Sequence, residues 1–363
     1  MFLTIFVLQF FIQIMPQASA VGDFLEKSIS IPLIDVRSPA EYAHAHIPGA
    51  VNLPLFDNAE RAQVGTCYKQ VGRDEAVLLG LELVGPKLAD FVKTTRQIAP
   101  NGEVLLHCWR GGMRSGSFAW LLETAGFKTY TLVGGYKAYR SQVLAAFEQP
   151  HQIFILGGKT GSGKTEILHE LSKIGAQMID LEGIANHKGS SYGAIGQAGQ
   201  PSSEQFENDL YHHWQTLDAT RPLWLEDESR SIGTCTIPQE LWVQMRNAPV
   251  AFIDLPKAAR VARLVQEYAC YDHTLLFQAT DRIKNRLGGQ HYKAALEALD
   301  QRDYAQVADL TLNYYDKAYL HGLSKRTDSE VFTIDVQADS PKQTAQMLVE
   351  WQQKFALEKR LLV

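Results

Sequence analysis

Short apolar runs alternate along this chain with stretches of helical spacing. Ile31-Pro32-Leu33-Ile34-Asp35-Val36 is a brief apolar run that predicts a buried strand. Arg37 to Tyr42 predicts a turn and a short helix, with Ser38 as N-cap, Pro39 at the first helical position and Glu41 at the third. His46 to Asn52 predicts a turn and a strand entry. Ala89 to Ile98 has helical spacing, Glu103 to His107 is strand-like, and a glycine-rich loop follows. Ser115 to Ala125 puts Phe118, Leu121 and Leu122 on one helical face, and Thr129 to Val133 is another strand, closed by Gly134-Gly135. Strands alternating with helices predict an α/β domain with a mainly parallel sheet.

Gln149-Pro150-His151-Gln152 predicts a boundary, and Gln152 to Leu156 opens a second α/β pattern. A helix from Thr165 and strands at 177–180, 222–226, 250–254 and 331–335 continue it. The stretch 257–323 reads as mostly helical, and Pro341 to Leu357 as a last helix. Two α/β domains suit a chain of 363 residues.

Composition adds little to this, except at the N-terminus. Phe2 to Met15 is nearly all apolar, and Ala18-Ser19-Ala20 resembles a cleavage site for export. The first basic residue is Lys27, so the charged start of a secretory signal is missing, and the run is short for a membrane span. We read residues 1–28 as an apolar extension, with Met15 as an alternative start, and expect a cytoplasmic protein without a membrane partner. The net charge of −5 excludes a chain coated everywhere by nucleic acid, so any RNA contact needs a local patch. Cys67, Cys108, Cys235 and Cys270 form no CxxC pair, which excludes a disulfide scaffold and a zinc-type spacing.

One of these cysteines sits in a loop built for chemistry. His107-Cys108-Trp109-Arg110-Gly111-Gly112-Met113-Arg114-Ser115 places a cysteine at a strand end, then two glycines and two arginines, then a helix. Such a loop can turn backbone N–H groups inward, and with the helix N-terminus, Arg110 and Arg114 it favours a thiolate at Cys108. The alternative is an inert buried thiol. The pattern leaves the reaction open, since a Cys-x5-Arg loop serves both sulfur-transferring rhodaneses and cysteine-dependent phosphatases.

Gly158-Lys159-Thr160-Gly161-Ser162-Gly163-Lys164-Thr165 fits a phosphate-binding loop in full, after an apolar strand and before a helix. Backbone N–H groups around Gly158, Gly161 and Gly163 would cradle phosphate, Lys164 would reach its terminal oxygens, and Thr165 could bind Mg²⁺. Leu223 to Glu228 reads as a strand ending in acidic groups, which makes Asp227 or Glu228 a candidate Mg²⁺ ligand; a solvated acidic turn is the alternative. The loop calls for phosphate without specifying a nucleotide. From Lys257 to Lys293 seven basic residues face three acids, with Arg282 and Arg286 at i, i+4 spacing. Arg282, Lys284 and Arg286 are candidates for RNA phosphates, against the alternative of a solvated helix face.

Taken together these segments resemble the tRNA 2-selenouridine synthases, in which a rhodanese domain is fused to a P-loop domain. The resemblance runs from about Ile31 and includes Asp35-Val36-Arg37-Ser38, Val64 to Gln70, the Cys108 loop, Gly134 to Ala138, the phosphate loop, Asp180 to Gly183 and Leu225 to Arg230. It implies an N-terminal rhodanese-like parallel-sheet domain over 29–148. It implies a P-loop NTPase-like α/β domain over 151–363, with the helical basic segment 257–323 inserted. It implies tRNA as partner, acting at the anticodon wobble 2-thiouridine. Geranyl diphosphate and selenophosphate are the implied co-substrates; Mg²⁺ is a candidate, and no resident cofactor is implied. Cys108 would serve selenium transfer, with Arg110 and Arg114 steadying the anionic donor. Cys67 is a candidate partner for Cys108 or a packed thiol. The competing readings are a cysteine phosphatase or sulfurtransferase with a nucleotide-binding domain, and a non-catalytic phosphate sensor.

Overall fold

The computed structural model describes residues 16–326 and 330–361 of the chain. They fall into two units that divide at Ala146/Phe147.

The first unit carries a five-stranded sheet in the order β1-β5-β4-β2-β3. Its strands are β1 (Gln17–Ser19), β2 (Leu33–Asp35), β3 (Val51–Asn52), β4 (Glu103–His107) and β5 (Lys128–Leu132). Every pairing is parallel. A parallel sheet is covered on both faces, which is why β2 and the last four residues of β4 are buried continuously rather than alternately. Phe118, Ala119 and Leu122 of the helix Met113–Thr124 pack with Val104 and Leu106 of β4 in one apolar cluster.

One expectation is corrected here. The extension assigned to 1–28 lies partly inside this unit. Gln17, Ala18 and Ser19 pair with Tyr130, Thr131 and Leu132, adding a strand to the edge of β5, and the helix Val21–Ser28 buries Phe24 completely. Two of the three residues of the cleavage-like triplet are therefore sheet residues, with Ser19 buried. The apolar run up to Met15 lies outside the described residues.

The second unit has a parallel sheet in the order β12-β11-β6-β8-β7. Its strands are β6 (Ile153–Gly158), β7 (Gln177–Met178), β8 (Leu223–Glu226), β11 (Val250–Asp254) and β12 (Val331–Asp335). A small hairpin pairs β9 (Ser231–Ile232) with β10 (Cys235–Thr236). The segment expected to be helical resolves into helices 257–268, 273–282, 284–287, 289–300 and 304–323. These form a satellite core around Leu276, Ala298, Leu299 and Val307. No helix among the described residues is long and apolar enough to cross a membrane.

In both sheets the central strand, β4 or β6, has neighbours reached by connections running in opposite directions. The carboxyl end of such a strand opens into a crevice where open α/β sheets bind ligands. Cys108 follows β4, and the phosphate loop starts at the end of β6.

Candidate functional site

Cys108 is buried, with its Sγ 3.2 Å from the Ser115 hydroxyl. Burial alone would raise the thiol; hydrogen bonds from the Ser115 hydroxyl and from the N–H groups of Ser115, Arg110 and Gly112 outweigh it, and the pKa is lowered. The loop can curl this tightly because Gly111 has φ +63° and Gly135 has φ +62°. A Cβ on Gly135 would lie 2.4 Å from the Cys108 carbonyl oxygen, and one on Gly111 would lie 2.4 Å from that of Leu132. The N–H groups of Tyr136 and Lys137 donate to the carbonyls of Cys108 and Trp109 at 2.9 and 3.0 Å, tying the loop to the turn after β5.

A buried ion pair supports the loop from below. Arg37 donates to both carboxylate oxygens of Asp35 and to the Ala45 carbonyl, and its guanidinium carbon lies 3.9 Å from the centre of the Tyr136 ring. His107 is fully buried, with Nε2 3.6 Å from Asp35, beyond hydrogen-bond length. Burial pushes its pKa down to about 4, so the imidazole is neutral.

The two arginines of the loop differ. Arg110 is exposed. Arg114 donates to Glu41 at 2.8 Å, and this contact links the helix that follows Cys108 to the short helix Pro39–His44. Glu41 also accepts from the Ser38 N–H at 3.1 Å, as its N3 position predicts. Its pKa is lowered: burial acts upward, but the Arg114 hydrogen bond and charge outweigh it. The groups that lower the Cys108 pKa are thus hydrogen-bond donors rather than guanidinium charges. Cys67 is half-buried on the helix Asn58–Gln70, and all four cysteines are free thiols.

In the second unit the phosphate loop joins β6 to the helix Lys164–Lys173, with Gly161 and Gly163 at φ +79° and +75°. Lys164 Nζ donates to the Gly158 carbonyl at 3.3 Å. Two distant arginines brace the loop. Arg260, buried, donates to the Thr160 carbonyl at 3.1 Å and forms a two-pronged ion pair with Asp316 at 2.8 Å. Arg263, paired with Glu166 and Asp339, lies against Gly163, where an added Cβ would meet its guanidinium at 2.8 Å. Neither residue is marked by a sequence motif.

The acidic groups divide into two sets. Thr165 donates to Glu182 at 3.1 Å, and Glu182 and Glu228 share a hydrogen bond. Glu226, fully buried, accepts from the Glu182 N–H at 2.9 Å, while its second oxygen has no partner among the described residues. Burial, then repulsion from Asp180 and Glu182, raises the pKa of Glu226, and burial, then repulsion from Glu182, that of Glu228; in Glu182 burial prevails over the attraction of Lys164. Asp227 lines the same cavity but has other partners. Its oxygens accept from Arg326 and from Tyr319 Oη at 2.8 Å, and Tyr319 Oη accepts from the Gly158 N–H at 2.9 Å. Asp227 is thus a structural anchor of β6 and β8. Thr165, Glu182 and Glu228 lie together at the phosphate loop and could hold a cation beside a phosphate. Among the described residues no group of three His, Cys, Asp or Glu side chains forms a metal cage by itself.

From the phosphate loop a cavity of about 900 Å³ runs into the helical segment. Lys164, Thr165, Glu182 and Glu228 line one end; Leu276, Leu299, Tyr304 and Val307 line the other. Arg282 and Arg286 also line it. Arg282 reaches the Ser191 carbonyl at 3.4 Å and Arg286 the Tyr314 hydroxyl at 3.0 Å, and among the described residues neither forms an ion pair. Lys284 pairs with Asp281 at 3.4 Å on the surface.

Comparison with known proteins gives two family matches. Residues 151–353 match the model of the tRNA 2-selenouridine synthase AAA domain, and residues 19–142 match that of the rhodanese-like domain. A tRNA 2-selenouridine synthase from Bordetella bronchiseptica is 37% identical over 343 residues, covering 84% of this chain and 92% of the relative. One from Shewanella frigidimarina is 37% identical over 349 residues, covering 85% and 92%. Among solved structures, the N-terminal domain of a putative ATP/GTP binding protein from Clostridium difficile 630 is 41% identical. It covers 35% of this chain and 99% of its own, with a TM-score of 0.33.

Proposed function

Because the chain belongs to the tRNA 2-selenouridine synthase family, we propose that it converts a wobble 2-thiouridine of tRNA in two stages, one for each unit. In the first, geranyl diphosphate binds in the cavity with its diphosphate on the phosphate loop. The uridine sulfur attacks the first carbon of the geranyl group, the carbon–oxygen bond breaks, and diphosphate leaves with the bonding pair while the base loses its N3 proton. In the second, the selenium of selenophosphate attacks C2 of the base, the carbon–sulfur bond breaks and the alkylated sulfur leaves as geranylthiol, and water cleaves the selenium–phosphorus bond, so that phosphate is released and N3 regains its proton. Alkylation turns a poor leaving sulfur into a better one. The Cys108 thiolate serves this second stage, with Arg110 at the loop rim steadying the anionic donor. Arg114 acts through Glu41, holding the start of its helix in place.

The observation that carries the first stage is the make-up of the cavity. A phosphate cradle continues into a wall of leucine, valine and tyrosine, which matches a charged head with a hydrocarbon tail better than a nucleotide. Thr165, Glu182 and Glu228 would hold Mg²⁺ together with the diphosphate, where it would neutralise the leaving group; a cation bound largely through substrate phosphate needs no protein cage. Arg282 and Arg286, with Lys284 beside them, would meet the anticodon backbone at the cavity.

Nucleoside mass spectrometry of thiolated tRNA incubated with the protein, geranyl diphosphate and selenophosphate tests the scheme. Cys108→Ser should accumulate the S-geranyl nucleoside without selenium, and Lys164→Ala should leave 2-thiouridine untouched. Normal geranylation by Lys164→Ala would remove the phosphate loop from the first stage.

A further inference from the structure

The helix Tyr304–Leu323 runs beside the cavity along its length. Positions 304, 307, 308, 311, 315 and 319 all line it, and their spacing is that of a single helical face. The two ends of this face are fixed. Tyr319 accepts from the Gly158 N–H at the phosphate loop, and Val307 lies in the satellite core with Leu276 and Leu299. At a rise of about 1.5 Å per residue, Val307 lies roughly 18 Å beyond Tyr319.

The face is apolar although it carries tyrosines and a threonine. Tyr315 Oη accepts from the Ser191 N–H at 3.1 Å, and the Thr311 hydroxyl donates to the carbonyls of Val307 and Ala308 at 2.9 and 3.1 Å. Opposite, Tyr192 Oη pairs with Thr280 at 2.6 Å. With these hydroxyls occupied, the residues offer mainly ring and methyl surface to a guest. Burial raises the pKa of Tyr192 to about 12 and that of Tyr315 further, so both stay neutral. Ala308 is the small residue in the deep half of the face, 7% exposed, one position from Val307.

We propose that this helix face is a ruler for the hydrocarbon of the donor: the phosphate loop fixes one end, and Ala308, with Val307, Leu276 and Leu299, sets how many isoprene units fit. The proposal rests on the placement of geranyl diphosphate in this cavity and adds the residues that select its length. A large side chain at 308 shortens the apolar compartment, and a smaller one at 299 lengthens it, while the phosphate end stays as it is.

The test is calorimetric titration of the full chain with inorganic diphosphate and with dimethylallyl, geranyl and farnesyl diphosphates. Ala308→Phe should weaken geranyl diphosphate at least tenfold and leave inorganic and dimethylallyl diphosphate within about twofold. Leu299→Ala should gain at least fivefold for farnesyl over geranyl diphosphate, so the proposal does not depend on one variant folding. Retained inorganic diphosphate binding reports that a variant is folded. With inorganic diphosphate binding retained, unchanged geranyl diphosphate binding by Ala308→Phe, or an unchanged order of chain lengths in both variants, overturns the ruler. A wild-type protein that binds inorganic diphosphate no more weakly than geranyl diphosphate overturns the placement of the donor itself, which is a different result.

Discussion

Replacing Ser115 by alanine tests how the Cys108 thiolate is held. The substitution removes the hydroxyl 3.2 Å from the sulfur and keeps the Ser115 N–H, so one donor is lost and the loop backbone stays. A hydrogen bond to a charged acceptor contributes about 1.5–3 kcal/mol. This hydroxyl is also 3.3 Å from the Gly112 carbonyl, which competes for its proton, so the low end applies. About 1.5 kcal/mol is roughly tenfold in the acid constant. The midpoint for thiolate formation should move up by about that factor in the acid constant. Alkylation of Cys108 by iodoacetamide, followed by peptide mass spectrometry across pH, reads the midpoint directly. Selenium incorporation should slow in parallel while S-geranylation stays unchanged, and Ser115→Thr, which restores a hydroxyl, should recover much of the loss. An unchanged alkylation midpoint in Ser115→Ala would refute the reasoning and leave the backbone donors as the sole support.

Other consequences follow from buried charge. Neutral His107, held at about 4 against an ordinary 6.5, contributes stability that is complete above pH 6.5 and lost as pH falls towards 4. The loss should total about 3 kcal/mol, be visible in hydrogen exchange of the β4 amides, and flatten in His107→Asn. Arg326→Ala leaves Asp227 buried with the Tyr319 hydroxyl but without its cation and should destabilise the second unit by about 3–5 kcal/mol in urea unfolding. A loss under 1 kcal/mol would show that Asp227 relaxes towards solvent. Gly135→Ala forces a left-handed backbone on an L-residue, about 1–2 kcal/mol, and drives a Cβ into the Cys108 carbonyl. It should lower the thermal midpoint of the first unit and abolish selenium incorporation together.

The parts of this molecule written in contiguous residues were readable in its sequence. β4 and β11 have the expected ends, and the Cys108 and phosphate loops sit where strand–glycine–helix patterns put them. The helices Asn58–Gln70 and Arg73–Val84 were not readable. The first buries no residue fully and the second only Ala76 and Gly80, so neither imprints an apolar face on the sequence. β1 was hidden for another reason: a three-residue strand gains its meaning from β5, more than a hundred residues away. Asp227 shows the same limit at the site. An acidic cluster at a strand end suggests a metal ligand, but the partners that Asp227 has in the structure, Arg326 and Tyr319, are ones that no local pattern ties to it.

The basic segment carries this lesson into function. Counted along the chain, residues 257–293 look like a surface for RNA. In the structure much of that charge is already paired: Arg260 is buried on Asp316 and the phosphate loop, Arg263 is divided between Glu166 and Asp339, and Lys257 is paired with Asp309 at the surface. A guanidinium that donates to the Thr160 carbonyl and packs in the protein interior cannot also neutralise a tRNA phosphate. What the arginines do instead is hold the phosphate loop against helix 257–268, with Asp316 linking that helix to the one whose face lines the cavity. The helical segment thus forms a wall of the cavity that starts at the phosphate loop. Its remaining cations at the cavity, Arg282 and Arg286, are few enough that their tRNA contacts would position an anticodon rather than supply most of the affinity.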